Sequence, residues 1–132
     1  MRQSKRVLVA DDNQYTADSF ARLISLMGHT TATAYSGHEA VDRSAEFQPD
    51  MVLLDIDMPG MDGYEAAARI RRDPTHAQPI LIAVTGWARE EDQCRAYAAG
   101  FDFHVAKPLD LERLKELTAM LGPAEPDTTL AW

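Results

Sequence analysis

The sequence predicts a single-domain α/β fold, a (βα)5 chain forming a doubly wound five-stranded parallel sheet. Three observations predict it. Short runs rich in Val, Ile and Leu alternate with longer helical patterns, as strands buried on both faces alternate with their covering helices. The 132 residues give room for one continuous core. Polar residues able to do chemistry follow directly after the apolar runs, where parallel sheets of this kind bind ligands.

The five candidate strands are Arg6 to Ala10, Thr30 to Ala34, Met51 to Leu54, Pro79 to Val84 and Phe101 to Val105. Between the first two, Tyr15 to Met27 sets Phe20, Leu23, Ile24 and Met27 at helical spacing, with Gly28 as a stop. Ser36 caps a second helix whose apolar positions are Ala40, Val41 and Ala45, ending before Gln48-Pro49-Asp50. Asp62 or Gly63 begins a third, through Tyr64, Ala67, Ala68 and Ile70, which stops near Asp73-Pro74. The fourth runs from about Arg89 to Ala99 and closes on Gly100. The last, Leu109 to Leu121, carries Leu111, Leu114, Leu117 and Leu121 on one face, with Asp110 near its positive N-terminal end. Residues 122–132 lack periodicity and read as a loose tail ending in Trp132.

Composition narrows the function. Hydrophobic residues at 45% and charged residues at 26% give the balance of a folded globular protein. The net charge of -8 sets up a field that repels nucleic-acid phosphates and anionic membranes. No apolar stretch approaches the roughly 18 residues needed to cross a bilayer, which points to a cytoplasmic protein. The single Cys94 has no Cys or His at metal-ligand spacing and reads as a helix-face residue.

The strand ends carry the chemistry. Asp11 and Asp12 follow the first strand, Asp55 and Asp57 the third, Thr85 the fourth, and Lys107-Pro108 the fifth. Carboxylates gathered on one sheet edge raise one another's pKa unless a cation sits among them. Hard oxygen donors without His or Cys suit Mg²⁺, with Mn²⁺ also acceptable. A carboxylate can attack phosphorus to form an acyl phosphate, and phosphoryl transfer is catalysed mainly by positioning and charge neutralisation. Asp55 fits the nucleophile, while Lys107 offers an ammonium and Thr85 a hydroxyl. Singly, each of these has an ordinary reading as a cap or a solvated charge.

Taken together, Val7-Leu8-Val9-Ala10-Asp11-Asp12-Asn13, Leu53-Leu54-Asp55-Ile56-Asp57-Met58-Pro59-Gly60-Met61-Asp62-Gly63, Ala83-Val84-Thr85-Gly86 and Lys107-Pro108 resemble the response-regulator receiver domain of two-component signalling. The resemblance covers about residues 5 to 121. It implies a flavodoxin-like receiver fold over residues 1–121, with 122–132 as a C-terminal tail or linker. It also implies that Asp55 is the phosphoacceptor for a phosphohistidine donor. Asp12 and Asp55 would bind Mg²⁺ directly, Asp11 through water, and the backbone carbonyl of Asp57 would be the third protein ligand. Thr85 and Lys107 would contact the phosphoryl group, with a cis bond before Pro108. Asp57 and Trp87 would flank the path of hydrolytic water and tune the lifetime of the acyl phosphate, bulky Trp87 by shielding it.

His104 departs from the family pattern, standing where many receivers carry a switching Tyr or Phe; it hints at receivers associated with hybrid histidine kinases. With an ordinary pKa of about 6.5, it is also ionisable near neutrality. The implied partners are a sensor histidine kinase or a histidine phosphotransfer protein docking on the first helix. The resemblance implies no direct nucleic-acid or membrane partner, and a monomer or a phosphorylation-dependent homodimer. Output would pass through the face of the fourth helix, fifth strand and fifth helix. Such a chain catalyses only its own phosphorylation and dephosphorylation and is not a multiple-turnover enzyme. Two alternatives remain at this point. Leu53-Leu54-Asp55-Ile56-Asp57 also resembles the nucleophile strand of haloacid-dehalogenase phosphohydrolases, and a receiver can serve as an unphosphorylated docking module.

Overall fold

The computed structural model describes residues 5–76, 78–86 and 89–121. The elements alternate strictly: β1 (Arg6–Ala10), α1 (Gln14–Leu26), β2 (Thr30–Ala34), α2 (Gly37–Phe47), β3 (Met51–Asp55), α3 (Gly63–Arg72), β4 (Ile80–Thr85), α4 (Glu90–Ala99), β5 (Phe103–Ala106) and α5 (Leu111–Ala119). All strand pairs are parallel, in the order β2-β1-β3-β4-β5.

Side chains alternate across a strand, so each buried strand feeds two cores. Val7, Val9, Met51, Leu53, Ile82 and Val84 point to one face, where Ala17, Ala21 and Ile24 of α1 and Leu114 and Leu117 of α5 cover them. Leu8, Ala10, Val52, Leu54, Leu81 and Ala83 point to the other, against Ala40 of α2, Ala66, Ala67 and Ile70 of α3, and Ala96 of α4. This double covering explains why β3 is buried at every residue. Each Leu or Ile fully removed from water here contributes about 1.5–3 kcal/mol.

Local chemistry sets the helix starts. The side chains of Asn13, Ser36, Asp62 and Asp110 each accept a hydrogen bond from a backbone N–H in the first turn of the helix that follows. Gly100 ends α4 in the left-handed region at φ 112°, as its place after the apolar pattern predicts. α4 is the exception at its start, since Arg89 supplies no side-chain cap, and Ala96 is its one buried residue.

Four expectations are corrected. The fifth strand begins at Phe103 rather than Phe101; Phe101 is buried in the connection, its N–H donating to the Ala96 carbonyl at 3.0 Å. The last helix begins after Asp110, which is its cap, so Leu109 is a buried loop residue and Leu111 faces outward at 42% exposure. In α2 the inward position falls to Ser44, and Ala45 is exposed. In α3 it falls to Ala66 and Ala67, with Ala68 only half-buried. In the last three cases an apolar residue marked the helix but not its inner face, because that face is set by the helix's rotation on the sheet.

α3 is tied to the far edge by Arg71. Its guanidinium donates to the carbonyls of Gly100 and Pro79 at 2.8 Å each and pairs with Asp102 at 2.7 Å. Asp102 in turn accepts from the Leu81 N–H at 2.9 Å, joining α3 to both β4 and the entry to β5.

Candidate functional site

The chain runs from β1 outward to β2 and returns to β3 on the other side of β1, so a crevice opens between the carboxyl ends of β1 and β3. Asp11 follows β1 and Asp55 ends β3, which sets them across this crevice. The Asp11 N–H donates to the Ala34 carbonyl at 3.0 Å, extending the β1–β2 ladder by one residue. The Asp11 carboxylate accepts from the Asn13 N–H at 2.9 Å, and Asn13 in turn caps α1.

Asp55 is almost fully buried, at 2% exposure. One oxygen, Oδ1, accepts from the Asp57 N–H at 3.0 Å and lies 3.0 Å from Lys107 Nζ. Single carboxylate oxygens of Asp11, Asp12 and Asp55 lie within 4.8 Å of one another, the only such cluster of three metal-binding side chains among the described residues. These groups line a cleft of about 520 Å³ together with Thr16, Phe20 and Leu109. Sequence reasoning missed these last three. Phe20 looked like a core residue, Leu109 like the start of the last helix and Thr16 like an ordinary helix residue, and only the packing of α1 against the last loop brings them to the cleft.

The backbone of β3 is held close to α3. The Gly63 N–H donates to the Ile56 carbonyl at 3.0 Å, and a Cβ at Gly63 would stand 2.6 Å from the Asp55 carbonyl oxygen and 2.7 Å from Ile56 Cα. Both are backbone atoms and cannot swing aside. Gly63→Ala is therefore expected to destabilise the fold by about 1–3 kcal/mol, measured by urea unfolding. An unchanged midpoint would show that this approach is not tight.

Thr85 ends β4 at 2% exposure, paired with Ala106 of β5. Its carbonyl accepts from the Lys107 N–H at 2.7 Å, which ties the two strand ends together. The Lys107–Pro108 bond is cis. Asp57 is exposed at the cleft. His104 sits on β5 opposite Ala83, with Nε2 buried and, among the described residues, without a hydrogen-bond partner. Trp87 and residues 122–132 lie outside the described residues.

The electrostatics follow from this crowding. Burial pushes the Asp11 carboxyl up to about 6; the charges of Asp55 and Asp12 add to the rise, while the Asn13 N–H and Lys107 oppose it. Burial works against the Lys107 ammonium, but its hydrogen bond to Asp55 and the charges of Asp55, Asp11 and Asp57 outweigh it, and the pKa rises. Burial lowers the His104 imidazole, with Asp92 opposing. Among the described residues Lys107 is the one cation bonded to this group of acids, against three carboxylates.

A five-stranded parallel sheet in this order, with an acidic crevice at the reversal point, is the fold of the receivers related to chemotaxis regulators. Residues 7–119 match the family described as the response regulator receiver domain, and the chain belongs to that family. The polar-differentiation response regulator DivK of Brucella ovis is 32% identical over 122 residues, which make up 92% of this chain and 99% of that protein. A receiver domain protein from Methanospirillum hungatei superposes with a TM-score of 0.79 at 26% identity, over 89% of this chain and 93% of that one. The receiver domain of a sensor histidine kinase from Pseudomonas aeruginosa, whose structure has magnesium coordinated in its active-site cleft, gives 0.78 at 24%, over 89% and 96%. The family is a module of two-component signalling. Among the described residues no helix is long and apolar enough to cross a membrane.

Proposed function

We propose that this receiver takes a phosphoryl group from a phosphohistidine onto Asp55 and that the acyl phosphate is its signal. The observation that carries the reading is the state of the Asp55 carboxylate. One oxygen is fixed by Lys107 and the Asp57 N–H, and among the described residues the other accepts no hydrogen bond. In the transfer, the phosphorus–nitrogen bond of the donor breaks as an Asp55 oxygen bonds to phosphorus, and the imidazole leaves. The Lys107 ammonium neutralises charge on the phosphoryl oxygens, and the Thr85 hydroxyl donates to one of them.

The donor set of the cleft fits Mg²⁺, or Mn²⁺: three carboxylates within reach of one another and no imidazole or thiolate. Asp12 and Asp55 would hold the ion directly, Asp11 through water, and Asp57 by its backbone carbonyl. The ion would supply positive charge to the phosphoryl oxygens. Asp57, at the mouth of the cleft, and Trp87 would govern the access of water and so the lifetime of the product.

Output follows from a shift in population between two arrangements of the Thr85 loop. α4 suits this role because Ala96 is its one buried residue and its N-terminus has no side-chain cap, so displacing it exposes little apolar surface. The partners are a histidine kinase or a phosphotransfer protein on the input side and a protein recognising the α4, β5 and α5 face on the output side.

The test is incubation of the full chain with a phosphorylated histidine donor, with Mg²⁺ or with excess chelator, followed by borohydride reduction and peptide mapping. The expected result is acid-labile, metal-dependent label that maps to Asp55 and does not exceed one phosphate per chain. Label elsewhere, or sustained turnover of a small phosphomonoester, would overturn the assignment.

A further inference from the structure

We propose that the outer face of α1, beside the open edge of β2, is a self-association surface that joins two copies of this chain about a twofold axis without phosphorylation. Tyr15 and Leu26 are the most exposed large apolar side chains among the described residues, at 85% and 76%. They are separated by eleven positions, three turns of helix, so they share one face about 16 Å apart. Between them on the same side lie Asp18 and Arg22, both exposed. Arg22 has no ion-pair partner among the described residues. Asp18 is exposed and uses one carboxylate oxygen to accept from the Tyr35 hydroxyl at 2.7 Å.

This order is self-complementary. In an isologous contact, residue i of one copy meets j of the other and j meets i. An antiparallel α1 pair with its axis between Phe20 and Ala21 sets Tyr15 of each copy against Leu26 of the other, and Asp18 of each beside Arg22 of the other. Apolar ends meet apolar ends, and the acid meets the base in the middle. A parallel pair would oppose like charges.

The adjoining surface suits the same occupant. An open groove of about 680 Å³ runs between α1 and β2, lined on the strand side by Thr31 and Thr33. β2 is an edge strand of sequence Thr-Thr-Ala-Thr-Ala. It carries no charge, proline or bulge of the kind that guards free edges against pairing. The paired α1 helices bring the two Tyr15 rings toward these grooves.

The contact is small, so association is weak and is read by sedimentation equilibrium of the full, unphosphorylated chain from micromolar concentration upward to roughly millimolar. Wild type is expected to pass from monomer to dimer. Asp18→Arg alone and Arg22→Asp alone are expected to remain monomeric, since each opposes like charges twice. A 1:1 mixture of the two variants is expected to recover at least half of the wild-type dimer, because each mixed pair contains two Arg–Asp contacts. Circular dichroism checks that both variants are folded. A wild-type chain that stays monomeric throughout, a dimer that forms only with acyl phosphate, or a mixture that fails to associate would each overturn the proposal.

Discussion

Asp55→Asn is expected to abolish acid-labile phosphate uptake, a loss on the order of 10³-fold or more in initial rate. The substitution preserves the volume and planarity of the side chain, so β3, buried along its whole length, keeps its packing. What disappears is the charge. An amide oxygen is a poor nucleophile toward phosphorus, and it attracts neither Lys107, now 3.0 Å from the carboxylate, nor a cation among Asp11 and Asp12. The measurement is single-turnover labelling from a phosphorylated histidine donor, with circular dichroism as the fold control. Uptake at the wild-type level would remove Asp55 from its role.

Asp11→Asn is expected to have the opposite effect on the metal-free fold, raising its melting temperature at pH 7.5 by roughly 3–6 °C, or about 1 kcal/mol. Asp11 is buried at 7% exposure beside two other carboxylates, and its pKa is raised to about 6 from an ordinary 3.8. The folded chain therefore holds this proton more tightly than the unfolded one. The stabilisation that this gives is fully present below about pH 4 and is lost as pH climbs through about 6. The gap between variant and wild type should consequently be near zero at pH 4, open through pH 6 and level off above it. Mg²⁺ held as proposed would offset the charge of the ionised acids, so its addition should raise the wild-type melting temperature more at pH 7.5 than at pH 5, and raise that of the variant less. Scanning calorimetry at these four pH values decides the matter. A gap independent of pH would mean that neither burial nor the acidic neighbours raise the Asp11 pKa.

Much of this was legible because the local signals agreed with one another. Ser36 begins a helix as a capping residue and Gly100 ends one, since both effects depend on a few neighbouring backbone groups. The strand runs were legible for a different reason. A segment buried on both faces must be apolar at every position, as Met51 to Leu54 is, and no polar alternation obscures it. Leu111 shows the limit. Its spacing to Leu114 suits a helix face, but it lies on the outer side because α5 packs through Leu114, Leu117 and Thr118, and that rotation depends on α1 and the sheet beneath.

The candidate site divides along the same line. Sequence alone determined which residues stand at strand ends, because the alternation of strand and helix fixes that independently of how the strands are ordered. It therefore named Asp11, Asp12, Asp55, Thr85 and Lys107. Only the tertiary structure decided their distances and charge states: that β1 and β3 are neighbours, that Lys107 Nζ reaches Asp55 Oδ1, that Phe20 and Leu109 wall the cleft, and that Asp11 is pushed up to about 6. The β1–β3 pairing and the Lys107–Asp55 contact join residues more than forty positions apart in the chain. They are properties of the packed whole, which no local pattern encodes.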